Sequence, residues 1–244
     1  MRRPLAVVTG GSRRVGAAIV EALALRGADV VIHYHRSRED AEALGERVRK
    51  MGSDAWTLKA DLRSEAECEA LVRRAAARGD RPVTILVNNA SAFPATTPRL
   101  SSWHDVEESL RIHHWAPLLL MRSVADQLVF ASVVNVLDAT RPEHDADHFA
   151  YQVGKSALDS LTRVMARELA PSVRVNAVAP GAILQPEGAD EGYLDAIAKR
   201  LPLRTHGAPQ DVANAVAYLA HAPFVTGATL AVDGGAHLLG GAHA

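Results

Sequence analysis

The chain has 244 residues, 48% hydrophobic and 23% charged, the size and composition of one globular domain of the α/β range. Its 27 Lys and Arg against 28 Asp and Glu leave a formal net charge of −1, which offers no basic footprint for nucleic acid. One cysteine, Cys68, excludes an internal disulfide, no apolar run reaches the ~18 residues of a membrane span, and the opening MRRPLAVVTG leaves no room for a signal peptide, so a cytoplasmic protein is expected.

In chain order, β-rich runs recur at Leu5–Thr9, Val30–Tyr34, Ala55–Ala60, Val83–Asn88, Ser132–Leu137, Arg174–Ala179 and Ala228–Val232. Amphipathic segments lie between them, and Ser64-x-x-Glu67 and Ser102-x-x-Asp105 have the spacing of capping boxes at helix starts. The runs are almost continuously apolar, the pattern of strands buried on both faces, which predicts a mostly parallel sheet wrapped by helices. The expected architecture is a single doubly wound α/β domain over residues 1–244. Residues 180–209, rich in Gly, Pro and acids, are the least regular stretch and are expected to form a loop or lid, with 181–209 as a substrate loop. The segment Tyr151–Ala170 carries Val153, Ala157, Leu158, Leu161, Val164, Met165 and Leu169, more apolar positions than one face needs, which predicts a second face buried against a copy of the chain.

Four clusters carry chemistry. Thr9-Gly10-Gly11-Ser12-Arg13-Arg14-Val15-Gly16 follows the first strand and opens a helix, where glycines let the backbone approach a pyrophosphate and the helix start supplies amide donors. The second strand ends His33-Tyr34-His35-Arg36-Ser37, with no acid before Glu39 to hold a ribose 2′-hydroxyl. Arg36, Ser37 and Arg13 instead suit a 2′-phosphate, so NADPH is expected over NADH. His33 and His35 share a strand face, but no further ligand cluster accompanies them and no metal is expected. The fourth run ends Asn88-Asn89-Ala90-Ser91, followed by Phe93; paired asparagines there are also plain turn formers. Last, Tyr151 and Lys155 stand four apart on one helix face, with Asp138 thirteen positions before the tyrosine.

The Gly-rich turn, Asn-Asn-Ala, Tyr-x-x-x-Lys, Arg174-Val175-Asn176 with Pro180-Gly181, and Val225-Thr226-Gly227 with Val232-Asp233-Gly234-Gly235, in this order, resemble the short-chain dehydrogenase/reductase family over essentially the whole chain. That resemblance implies a seven-stranded Rossmann fold with helices on both faces. The departures are informative. Arg14 stands where the turn usually has a second glycine, Ser91 where Asn-Asn-Ala is usually followed by Gly, Asp138 at the usual catalytic serine, and His113, aligned on Pro117, at a usual asparagine. With His33 to Ser37 and Phe93, they resemble the pteridine reductases and their bacterial dihydromonapterin- and dihydrofolate-reducing relatives.

The resemblance implies NADPH bound along Gly10, Arg13, Arg14, Val15, Gly16, His33, Tyr34, His35, Arg36, Ser37, Asp61, Leu62, Asn89, Ala90, Ser91, Tyr151, Lys155, Pro180, Gly181 and Ile183. It implies catalysis by Asp138, Tyr151 and Lys155, and a pteridine or folate held by Arg14, Ser91, Phe93, Asp138 and Tyr151. Phe93 is expected to stack on the heterocycle, or else to pack in the core. Lys155 is expected to acidify the Tyr151 phenol and hold the nicotinamide ribose. An ionised Asp138 would repel an alkoxide but accept from a pterin's N–H groups; its bland alternative is a turn residue before Thr140. A carbonyl or 3-oxoacyl reductase is the rival reading, and a non-catalytic NADP-binding protein a more remote one. The family resemblance also implies a homotetramer.

Overall fold

A computed structural model describes residues 2–139, 147–185, 188 and 190–239. Seven strands, β1 (Leu5–Val8), β2 (Asp29–Tyr34), β3 (Ala55–Lys59), β4 (Ile85–Asn88), β5 (Ala131–Val136), β6 (Val173–Pro180) and β7 (Thr229–Val232), form one sheet in the order β3-β2-β1-β4-β5-β6-β7. Every strand pair in it is parallel. The helices are α1 (Arg14–Leu25), α2 (Arg38–Lys50), α3 (Glu65–Gly79), α4 (Trp103–Leu110), α5 (Ala116–Ala125), α6 (Phe149–Glu168), α7 (Tyr193–Ala198) and α8 (Pro209–His221). A π-helical turn, Arg111–Trp115, joins α4 to α5 without a break.

The apolar runs become parallel strands because both of their faces are covered. In β1, Leu5 and Val7 enter a core with Leu71 of α3, Leu120 of α5 and Leu158 of α6. Ala6 and Val8 enter a second core with Ile19 of α1, Leu44 of α2 and Val216 of α8. A strand with polar residues at alternate positions would place them in one of these cores. Between β1 and β4 the strand order reverses, and in such sheets the crevice outside the carboxyl ends of those strands is where ligands bind.

Two local expectations change. Ser102 and Asp105 make the full reciprocal capping box on α4. Ser64 Oγ accepts from the Glu67 amide at 3.4 Å, but the Glu67 carboxylate turns to the Asp61 amide at 2.8 Å, so the α3 box is half formed. The 180–209 stretch is not one loop: Pro180 ends β6, α7 takes residues 193–198, and Pro209 opens α8. Among the described residues no helix is long and apolar enough to cross a membrane.

Candidate active site

The glycine turn is fastened from three sides. Gly11 donates to the His33 carbonyl at 3.0 Å, and Gly10 donates to His33 Nδ1 at 3.0 Å. Asn89 Nδ2 donates to the carbonyls of Thr9 and Gly10 at 2.9 and 3.1 Å, while Thr9 Oγ1 accepts from the amides of Asn89 and Ala90. A Cβ on Gly16 would lie 2.2 Å from the Gly10 carbonyl oxygen and 2.8 Å from Asn89 Nδ2, so only glycine permits this closure. The helix α1 starts without a side-chain cap among the described residues, which leaves its first-turn amides for an anion. Arg14 adopts φ 53°, the region a glycine would favour, and its Nη2 donates to the Gln185 carbonyl at 3.0 Å. That bond ties the turn to the segment after β6.

His33 differs from its expected role. Its ring is buried, with Nδ1 receiving the Gly10 amide and Nε2 3.1 Å from the Ala60 carbonyl. The ring therefore braces the turn from behind, which leaves only the His33 main chain to meet a ligand. Burial pushes its pKa down to about 4, with the Ala60 bond opposing, so the ring is neutral. Arg36 is exposed just past the end of β2, and Arg13, whose Nε lies 3.7 Å from Asp40 of α2, is exposed too. Tyr34 is partly exposed. His35 Nε2 lies 3.7 Å from Asp61 Oδ2. Burial opposes ionisation of Asp61, but the Arg63 amide, His35 and the Arg63 guanidinium outweigh it and hold the carboxyl below its usual range. Among the described residues no group of three ligating side chains could hold a metal ion. Leu62 and Ile183 bury their side chains in the two cores, which leaves only their main chain to meet a ligand. Gly181 packs against Asp233, where a Cβ would come within 2.7 Å of the Asp233 Cα.

At the ends of β5 and β6 the Tyr–Lys–Asp set comes together. Tyr151 Oη donates to Asp138 Oδ2 at 2.6 Å. Lys155 Nζ donates to the Val136 carbonyl at 2.6 Å and lies 5.6 Å from the Tyr151 ring centre. The Ala139 amide donates to the Pro180 carbonyl at 2.8 Å, which holds the Asp138 turn against β6. Burial pulls the Lys155 pKa down to about 8, with the Asp138 charge opposing, so the ammonium persists at neutral pH. Thr140, the partner of the turn-residue alternative for Asp138, lies outside the described residues.

Phe93 is half exposed, not core, and its ring stacks on His148 with centroids 3.7 Å apart and planes 15° from parallel. It also meets Tyr151 edge-on at 4.6 Å. One face of Phe93 is thus covered by His148. Ser91, exposed at the crevice, lies 2.9 Å by Oγ from His113 Nε2. His113 is buried, edge-on to Tyr151 at 5.4 Å between ring centres. Sequence reading missed His148, and the contacts of His113 could not be read from spacing. One signal was available: Gly154 inside α6, a costly residue in a helix interior, marks where His113 and Ser109 approach.

A family model described as enoyl-(acyl carrier protein) reductase matches residues 10–237. The chain is 36% identical to a putative ketoacyl reductase 2 of granaticin polyketide synthase from Streptomyces violaceoruber, covering 97% of each. It is 31% identical to pteridine reductase 1 of Leishmania tarentolae, covering 95% of this chain and 96% of the relative. Among solved structures, FolM alternative dihydrofolate reductase 1 from Brucella suis in complex with NADP superposes with a TM-score of 0.90 at 35% identity, covering 97% of this chain and 95% of that one.

Proposed function

The chain belongs to the short-chain dehydrogenase/reductase family, an oxidoreductase family, and from that membership we propose that it is an NADPH-dependent reductase of a pteridine. The substrate class is a dihydropterin, dihydromonapterin or dihydrofolate, reduced to the tetrahydro form at a ring C=N. The observation that carries this reading is the 2.6 Å hydrogen bond from Tyr151 to Asp138. In a ketone reductase the acidic proton must face an oxygen that becomes an alkoxide, and a carboxylate about 4 Å away would oppose that charge by roughly 4 kcal/mol at an effective dielectric of 20. A ring C=N nitrogen is basic enough to take its proton before the hydride arrives, so the charge beside the carboxylate is then positive and the same carboxylate favours it. Its neighbours on a pterin are N–H donors, which a carboxylate accepts.

NADPH, when bound, supplies the hydride. Gly10, Gly16 and the first amides of α1 hold its pyrophosphate, and the tight Gly16 closure is the structural feature that fits it. Arg13, Arg36 and Ser37 receive the 2′-phosphate, and Lys155 holds the nicotinamide ribose. Tyr151 and Asp138 keep a proton between them for the ring nitrogen, and the Lys155 cation favours release from the phenol. Phe93, which is half exposed, offers its ring to the heterocycle, and Arg14 and Ser91 reach its edge. The whole chain serves as one NADP-binding domain, with residues 181–209 as the substrate segment, a role supported by the Arg14–Gln185 bond. A cytoplasmic homotetramer completes the reading, supported by Val164, which α6 leaves 59% exposed.

The 36% identity to a ketoacyl reductase favours a second reading, reduction of a 3-oxoacyl thioester. Following NADPH oxidation with dihydrobiopterin, dihydrofolate and an acetoacetyl thioester separates the two. Dihydropterin turnover is expected to dominate and to fall about 100-fold in Asp138→Ser, the scale of losing one acid–base partner, while thioester turnover survives or rises. Dihydropterin turnover left unchanged by that substitution would sink the pteridine reading.

A further inference from the structure

The buried imidazole beneath Ser91 takes no part in the proposed proton transfer, yet its hydrogen bonds favour one arrangement. His113 Nδ1 lies 3.0 Å from the Ser109 carbonyl oxygen, which can only accept, so Nδ1 carries a proton. Ser109 Oγ, 3.1 Å from the same nitrogen, lies within reach of that N–H. In the neutral ring Nε2 is then bare, and at 2.9 Å from Ser91 Oγ it must receive the serine O–H. The other neutral tautomer, with Nδ1 accepting from Ser109 Oγ and Nε2 donating to Ser91, would leave the Nδ1 lone pair against the Ser109 carbonyl oxygen at 3.0 Å, and the reverse polarity without that clash needs an imidazolium. Burial and the nearby Lys155 ammonium exclude it, pushing the His113 pKa down to about 3.

The seat of the ring is built for this one orientation. His113 sits in the π turn Arg111–Trp115, a helical irregularity often found at functional positions. A Cβ on Gly154 would fall 2.4 Å from Ser109 Oγ and 2.8 Å from His113 Nδ1. The bare patch on α6, between Tyr151 and Lys155, is thus what lets the imidazole lie under the crevice. An amide side chain in its place could turn either its oxygen or its NH2 toward Ser91, whereas an imidazole pinned at Nδ1 cannot.

We infer that His113 is a positioning residue that makes the Ser91 hydroxyl a fixed hydrogen-bond acceptor toward the substrate, so that the site takes an N–H or NH2 donor there and disfavours a carbonyl oxygen. Ser91 spends its single proton on Nε2, and what it presents to the exposed side is lone pairs. The polarity matches Asp138, a carboxylate that already takes the Tyr151 proton. Ser91 and Asp138 thus both present acceptors, and where they meet the substrate the specificity is for the donor edge of a nitrogen heterocycle. The identity of that donor rests on the pteridine reading, but the direction of the Ser91 proton does not.

Two measurements test this separately. Imidazole 15N and 1H correlation spectra of the intact protein, with and without NADP, should show His113 neutral and protonated on Nδ1 from pH 6 to 8; an Nε2–H tautomer or an imidazolium would overturn the assignment. In kinetics with dihydrobiopterin, Ser91→Ala and His113→Asn should each raise KM about tenfold with kcat changed less than about threefold, and the double variant should be no worse than either, as expected for two residues that act as a unit. Additive effects, or a loss confined to kcat, would overturn it. Ser91 is exposed, so Ser91→Ala keeps the kinetic test available if His113→Asn does not fold. If the wild type turns over no dihydropterin, the proposed substrate is wrong, and the tautomer still decides the role of His113.

Discussion

At the end of β1, the glycine turn is held by main chain and by side chains that serve it: the amides of Gly10 and Gly11 reach His33, and Asn89 caps the carbonyls of Thr9 and Gly10. Beyond the ends of β4 and β5, the arrangement depends on side chain meeting side chain: Tyr151 with Asp138, Ser91 with His113, Phe93 with His148. The first, the cofactor half, depends on backbone shape, as the close approach at Gly16 shows. The second, the substrate half, depends on single side chains, Asp138 and His113 among them. A cofactor common to a family and substrates that differ within it call for this division.

The largest test sets the two halves against each other. Gly16→Ala pushes a methyl against the Gly10 carbonyl, a backbone atom that cannot move aside, and should weaken NADPH binding at least about 100-fold by fluorescence titration. Tyr151→Phe should leave NADPH affinity within about threefold while reducing dihydropterin turnover by about 100-fold or more. Similar losses of binding in both variants would erase the distinction between halves.

The next test sharpens the cofactor half. Arg36→Asp places a carboxylate where a 2′-phosphate is expected, and charge-assisted hydrogen bonds of ~1.5–3 kcal/mol correspond to roughly ten- to a hundredfold. The ratio of kcat/KM for NADPH over NADH should drop by that factor. Equal kcat/KM for the two cofactors in the wild type would remove the role given to Arg13 and Arg36.

A third test concerns what the halves share, one buried neutral histidine each. Burial lowers His33 to about 4, and burial with Lys155 lowers His113 to about 3, against an unfolded value of 6.5. Protons therefore bind the unfolded chain first. The stability due to the neutral rings is complete above pH 6.5 and is lost as the pH falls toward those values. His33 alone should contribute a loss of roughly 3 kcal/mol by pH 4. Urea midpoints at pH 7 and 4.5 measure it, and His33→Asn should remove about half of the histidine share. A flat profile across that range would mean that the rings are not buried uncharged.

Much of the cofactor half was legible because its rules are local. Apolar runs ending in glycines mark a buried parallel strand and a phosphate turn whatever lies elsewhere in the chain, and Gly10 and Gly16 needed no tertiary information. The spacing of Tyr151 and Lys155 placed them on one helix face, and both are buried in α6 at the crevice. The seat of the His33 ring was not legible, because its strand position says that it points to one side of the sheet, not that the Gly10 amide and the Ala60 carbonyl await it there. The segment after β6 was read as a loop because its glycines and acids mask the six-residue helix α7.

The sequence by itself determined the layered fold, the phosphate turn, the absence of an acid at the 2′ position and the replacement of a serine by Asp138. The tertiary structure alone decided where the protons point. The Tyr151 proton goes to Asp138 because the turn after β5 is held against β6 by the Ala139–Pro180 bond, beside the first turn of α6. The Ser91 proton goes to His113 because Ser109, Gly154 and the π turn pin the imidazole by its other nitrogen. Hydrogen-bond polarity depends on which acceptors surround a group, and here those come from strands, turns and helices far apart in the chain.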